Sequence, residues 1–145
     1  MISSPAVVVD LTEIRAARRP PALFIPLVRP SELTAEALLA LVNRVIAVLC
    51  EENALLAAGL PALPSDGEDS KVELSDRLAM VWAAARASTV PLGDDDAQAL
   101  IEATARLTAA AKENAARLEV ALAASRQRID SALAVLGQRN RAAGA

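Results

Sequence analysis

Residues 100–136 have the sequence LIEATARLTAAAKENAARLEVALAASRQRIDSALAVL, which contains the clearest helical pattern of the chain. Apolar or small polar side chains recur along it at spacings of three and four residues, which place them on one face of an α-helix. Over about ten turns at 3.6 residues per turn, these positions stay within about 40° of one line. We call this line the long stripe: Leu100, Thr104, Leu107, Ala111, Asn114, Leu118, Leu122, Ser125, Ile129, Ala132 and Leu136.

The predicted helix is long for the size of the chain. It should measure on the order of 60 Å, at a rise of 1.5 Å per residue, and Gly137 is predicted to end it. A chain of 145 residues cannot enclose such a helix. We therefore expect the helix to project as a hairpin or coiled-coil rod, with part of the long stripe left without a partner.

Two shorter helices are predicted ahead of the long one. The first begins near Ser31 or Thr34, either of which can cap it, and ends at about residue 58. A loop rich in glycine, proline and polar residues follows over 59–70, and the second helix is predicted over 68–88. We expect the first helix to lie antiparallel to the long helix, with the second helix covering one end.

Together these elements predict an all-α fold. It is a long antiparallel helical hairpin, or coiled-coil-like three-helix protein, with a proline-rich N-terminal extension. Residues 1–30 are predicted to be an extended or disordered segment, because four prolines at the end of this segment prevent a regular helix. This segment either drapes over the core or stays mobile, or it docks on a partner. Residues 31–140 form the helical domain, and 141–145 a short tail.

The side-chain inventory excludes most chemistry. The chain has no His and no Tyr, and its single Cys has no imidazole to activate it. That residue, Cys50, lies in a helical pattern beside Leu49 and is predicted to be a small buried hydrophobe. The net charge is −3, and acidic residues are interspersed among the basic ones, whereas nucleic-acid binders usually show a basic stripe. We expect no enzymatic activity, no cofactor, no metal site and no nucleic-acid partner.

The sequence also argues against membrane insertion. It has no run of about 18 apolar residues, the length a membrane span needs. The start of the chain lacks the basic region of a signal peptide, and Asp10 and Glu13 interrupt its apolar stretch. The prediction is a cytoplasmic protein.

Two polar residues on apolar helix faces stand out. Asn114 falls in the middle of the long stripe, where a buried polar residue usually fixes the register of paired helices; a direct contact with a partner is the alternative. Glu52 lies near the apolar face of the first helix. We interpret it as a flanking charge that sets helix pairing.

Two segments resemble FlgN-type flagellar export chaperones. Residues 38–60, LLALVNRVIAVLCEENALLAAGL, look like the first helix of that family, which ends in an acidic pair, a leucine pair and a glycine. Residues 107–136, with Lys112-Glu113-Asn114 ahead of Leu118 and Leu122, look like its long closing helix. The resemblance covers about residues 35–138. The proline-rich extension has no counterpart in the family.

The resemblance implies a function. Such chaperones are cytoplasmic and helical, and they bind the C-terminal helical segments of the hook–filament junction (hook-associated) proteins. They prevent premature assembly of these clients and deliver them to the flagellar type III export gate, which is a further partner. Carried over to this chain, client binding falls on Leu118, Leu122, Ile129, Leu133 and Leu136. A monomer or homodimer is expected.

Two other functions stay open at this point. A self-associating coiled-coil scaffold would pair the long stripe with a second copy, and an amphipathic-helix protein would lay it on a lipid surface. Thr104, Asn114 and Ser125 interrupt the apolar character of the stripe, which suits helix pairing better than a lipid surface. Light scattering would detect the first alternative, and liposome flotation the second.

Overall fold

The computed structural model describes residues 28–88 and 92–144. These residues form a 3-10 turn, Pro30–Leu33, and three α-helices, with no β-strand among them, so the predicted all-α class is confirmed. The helices are α1 (Ala35–Ala57), α2 (Lys71–Ser88) and α3 (Asp94–Ala143). The predictions for the N-terminal extension up to residue 27 lie outside the described residues.

Local signals set both ends of α1, as predicted. At its start the Thr34 hydroxyl accepts a hydrogen bond from the Ala37 N–H at 3.1 Å, which satisfies one of the free donors of the first turn. At its end Gly59 adopts a φ of 73°, a left-handed conformation that costs glycine little. The chain therefore leaves α1 in a sharp turn that directs the following loop toward α3.

The long helix α3 is longer than predicted. It has 50 residues, which at 1.5 Å per residue is about 75 Å, and it continues through Gly137 to Ala143. A glycine inside a helix costs only about 1 kcal/mol relative to alanine, and the flanking alanines, arginines and leucines favour helix. Residues 141–143 consequently belong to the helix and not to a tail.

The direction of the helices differs from the prediction. Leu38, near the start of α1, shares an apolar cluster with Leu100, near the start of α3. Toward the other end, the Asn53 side-chain amide donates to the Ala110 carbonyl at 3.2 Å. Residue numbers rise in the same direction along both helices, so α1 and α3 are parallel and the predicted antiparallel pairing is wrong. The cause is α2, which carries the chain back before α3 begins.

The core lies where α1 contacts both other helices. Its larger cluster of buried residues joins Val42, Val45 and Leu49 of α1, Leu74 and Leu78 of α2, and Ala103 and Ala110 of α3. The α3 contribution consists of small side chains, so the backbones of α1 and α3 can lie close together. A second cluster closes the end at which α1 and α3 begin, with half-buried Trp82 packed against Leu38, Val81 and Leu100.

Burial along α3 stops well before the helix does. The last buried residue of α3 is Asn114, level with the end of α1, and Leu118 is half-buried. We call residues 119–143 the projecting half of α3; at 1.5 Å per residue it is about 37 Å long. For the described residues, the prediction that the long stripe outruns its partners is confirmed. In the same residues, no helix has both the length and the apolar character needed to cross a membrane.

Candidate partner-binding site

The five residues predicted to bind a client lie on one face of a single helix. Leu118 is half-buried at the point where α1 ends, and the other four follow it along the projecting half. Their exposed fractions are 52% for Leu122, 56% for Ile129, 61% for Leu133 and 53% for Leu136. We call these five residues the free stripe. Single exposed leucines are common on protein surfaces, but a continuous row of this length is typical of an interaction surface.

An open cleft lies at the base of the free stripe. It has a volume of about 820 Å³ and is formed between the loop that follows α1 and one face of α3. The loop contributes Leu60 and Pro61, while Leu118 and Leu122 line the opposite wall, so the cleft and the free stripe are one continuous apolar surface. The Leu60 N–H donates to the Leu55 carbonyl at 2.9 Å, which holds the loop in place.

Leu60 was not predicted as part of the site. The available signal was an apolar residue directly after the glycine that ends a helix, a position that often packs back on the last helical turn. Here Leu60 stays 51% exposed and faces the cleft, because the left-handed turn at Gly59 directs the chain toward α3.

A buried carboxylate connects α1 with α2, α3 and the loop that follows α1. Glu52 of α1 is only 1% exposed, and its carboxylate accepts three hydrogen bonds. They come from Lys71 Nζ at 2.7 Å, Asn114 Nδ2 at 2.8 Å and the Leu63 N–H at 3.0 Å. The donors belong to α2, α3 and the connecting loop. One side chain therefore joins all the segments that form the root of the projecting half.

Asn114 makes three side-chain hydrogen bonds in this cluster. Its amide group donates to Glu52 and to Asn53 Oδ1, the latter at 3.0 Å, and its oxygen accepts from Lys71 Nζ at 3.1 Å. Because these bonds form in only one alignment of the helices, Asn114 fixes the register of α1 and α3, as predicted. Glu52 is not at the flank of the helix pair, where we had expected it, but at the centre of the cluster.

The cluster keeps Glu52 ionised. Burial raises the pKa of this carboxyl, but the hydrogen bonds from Lys71, Asn114 and the Leu63 N–H, together with the Lys71 charge, outweigh burial. The net effect holds the Glu52 pKa below its ordinary value of 4.5. A carboxylate that stays charged and is surrounded by its own donors is suited to fixing the helices in place.

The lowered pKa predicts how stability depends on pH. Because the Glu52 pKa is lower in the folded state, its ionised form stabilises the protein above about pH 4.5, and this contribution is lost as the pH falls through the folded-state pKa. The free energy of unfolding in urea should therefore decline below pH 4.5. Glu52→Gln should flatten that decline but not remove it, because Arg77 also lowers the Glu32 pKa. An unchanged pH slope in Glu52→Gln would contradict the assignment.

Among the described residues, few side chains are suited to nucleophilic catalysis or metal binding. Cys50 is exposed, so its prediction as a buried hydrophobe is wrong. Its neighbour Leu49 is buried. Successive residues of a helix are rotated by about 100°, so the Cys50 side chain lies on the outer face. Among the described residues, no three His, Cys, Asp or Glu side chains are grouped so that they could hold a metal ion.

Comparisons with known proteins do not assign the chain to a family. No family model matches it, and no curated protein or solved structure is detectably similar. The resemblance to FlgN-type chaperones thus depends on the two quoted segments alone. The exposed surface of α3 is therefore the structural feature that supports a functional proposal.

Proposed function

We propose that this protein is an export chaperone that holds a helix of a flagellar hook–filament junction protein on the projecting half of α3. The observation that supports the proposal is the free stripe, which continues past the end of α1 with its leucine-sized side chains more than half exposed from Leu122 onward. A client that assembles through helix pairing presents a matching apolar stripe before assembly. Covering that stripe would prevent premature assembly and keep the client available for the type III export gate.

The contact follows the helix-in-groove mode of recognition. The free stripe forms one wall, and Leu60 and Pro61 of the loop after α1 limit the groove at its base. Each stripe residue has about half of its surface left to bury, which is worth roughly 1–1.5 kcal/mol per side chain. The matching side chains of the client gain a similar amount, so the gross total for both partners is roughly 10–15 kcal/mol. The costs of association offset part of this total, so we expect affinity in about the micromolar range, which corresponds to roughly 8 kcal/mol. Such an affinity permits release at the export gate.

Titration calorimetry against synthetic C-terminal helical segments of hook–filament junction proteins tests this proposal. We expect saturable binding of one peptide per chain with a negative heat-capacity change, the thermodynamic sign of apolar burial. Peptides with the same composition but scrambled order, which lack the apolar stripe, serve as controls and should not bind. Absence of binding, from a protein that light scattering shows to be a stable dimer, would favour the self-associating scaffold instead.

A further inference from the structure

Arginines recur along one edge of α3 at intervals of eleven residues. Eleven residues make slightly more than three helical turns, so successive members shift by only about 20° around the helix. All of them lie roughly 60–120° from the centre of the long stripe, on the same side. We call them the arginine row: Arg106, Arg117, Arg128 and Arg139.

We call residues 94–118 the packed half of α3, and its contacts show which way this edge faces. The Arg106 guanidinium reaches across the helix pair and donates to Asn43 Oδ1 of α1 at 3.4 Å. Arg128 lines the cleft beside Leu118 and Leu122. The arginine row therefore borders whichever helix covers the stripe: α1 in the packed half, and a partner in the projecting half.

The last two arginines of the row are available for a partner. Arg117 pairs with Glu113 of its own helix at 2.8 Å, whereas Arg128 and Arg139 make no ion pair with any described residue. The opposite edge of the projecting half is mixed, with Glu119 and Asp130 on either side of Arg126. The free stripe thus has one uniformly basic edge and one mixed edge.

Other features of the α1 contact also repeat at the same interval. Ala110 lies in the core cluster with α1, and Ala121 and Ala132 occupy the equivalent positions one and two repeats later. Leu107 packs against that cluster, and Leu118 and Ile129 are its equivalents. Part of the surface with which the packed half holds α1 therefore recurs in the projecting half, and these alanine and leucine-sized positions fit a closely packed apolar helix.

A second copy of the chain is a poor match for this surface. In an antiparallel pair of α3 helices the same edges meet, so the arginine row of one copy would face that of the other. In a parallel pair, α1 of each copy occupies the stripe face of the packed half and would lie between the two α3 helices. Residues 1–27 of the chain itself have three arginines against two acidic residues, so their charge does not complement the row.

We infer that the partner of the free stripe is a helix of another protein whose apolar stripe has acidic residues along one edge, spaced about eleven residues apart so that they pair with Arg128 and Arg139. This inference deepens the proposed function and depends on it. It specifies the charge pattern of the client helix, which the apolar stripe alone leaves open.

Three synthetic helical peptides test the inference. They share one apolar stripe and differ only at two edge positions eleven residues apart, where they have Glu, Gln or Lys. We measure their affinities for the full-length protein by calorimetry at low salt. The Glu peptide should bind at least about tenfold more tightly than the Lys peptide, with the Gln peptide between them, and salt of about 0.5 M should remove most of the difference.

Charge-reversed variants identify the arginines responsible. In the double variant Arg128→Glu/Arg139→Glu, the order of the three peptides should reverse. The double variant Arg126→Glu/Arg141→Glu changes the net charge by the same amount but lies off the row, so the original order should persist. Circular dichroism should show the same helix content in both, because all four side chains are exposed.

Each failure has a distinct meaning. If the three peptides bind equally, or if the row variant keeps the original order, the inference is overturned while the proposed function stands. If junction-protein segments bind and none of the designed peptides does, the inference is likewise overturned and the proposed function stands. If neither group binds, both proposals fall. A dimer that the peptides do not dissociate would place a second copy on the stripe and would overturn the inference directly.

Discussion

Lys71→Met is expected to lower the free energy of unfolding by about 3 kcal/mol, because it leaves the buried Glu52 carboxylate without its counter-ion. Glu52 is 1% exposed, and the Lys71 side chain is 24% exposed. The remaining exposure of Lys71 puts the expected loss at the lower end of the range for breaking a buried ion pair. Urea denaturation at pH 7 measures the effect.

The matched control is an ion pair on the surface. Arg44 pairs with Asp69, but both side chains are more than half exposed, so Arg44→Met should cost no more than about 0.5 kcal/mol. Equal effects from Lys71→Met and Arg44→Met would mean that Glu52 does not depend on Lys71. In the double variant Glu52→Gln/Lys71→Met, part of the lost stability should return, since the unpaired charge is gone and the glutamine oxygen can still accept from either Asn114 or the Leu63 N–H, which bond to different oxygens of Glu52.

Leu122→Asp is expected to abolish client binding and to leave helix content nearly unchanged. Leu122 lies where the cleft meets the free stripe and is 52% exposed, so the free protein tolerates a carboxylate there. In the complex the same carboxylate would be buried against an apolar helix without a partner. We expect a loss of affinity of at least about 100-fold by calorimetry, with the melting temperature and circular dichroism close to those of the unchanged protein.

The control for this variant is Ile101→Asp. Ile101 is also an exposed apolar residue of α3, at 63%, but it lies in the packed half and off the stripe. The Ile101→Asp variant should bind the client with the same affinity as the unchanged protein. If Leu122→Asp unfolds the protein, the residue belongs to the intramolecular core, and its assignment to the binding surface is wrong.

The elements were predictable from sequence because their signals are local. The Thr34 cap, the turn at Gly59 and the stripe spacing of α3 each act within a few residues. Helix direction is different: an apolar period of 3.6 residues is the same in either direction along a helix, so it could not show that α1 and α3 are parallel. The direction follows from α2, which contacts α1 and returns the chain to the start of the bundle.

The candidate site shows the same contrast. The free stripe follows from periodicity, since exposed and buried positions lie on one line of one helix. The burial of Glu52 does not, because its donors Lys71, Asn114 and Leu63 come from three separate parts of the chain. Without those donors a carboxylate would be assigned to the helix flank, since a charge is rarely buried alone.

The alanine content of the chain has an explanation in the projecting half. An isolated helix in water has to form its first turn at a net cost in free energy before further residues can stabilise it. Here the packed half of α3 supplies that nucleus, so each added residue only has to extend an existing helix. Alanine extends a helix more readily than any other residue, and it is abundant at the positions between the stripe leucines. The surface is consequently already shaped when it is empty, and a partner would spend little of its binding energy on ordering it.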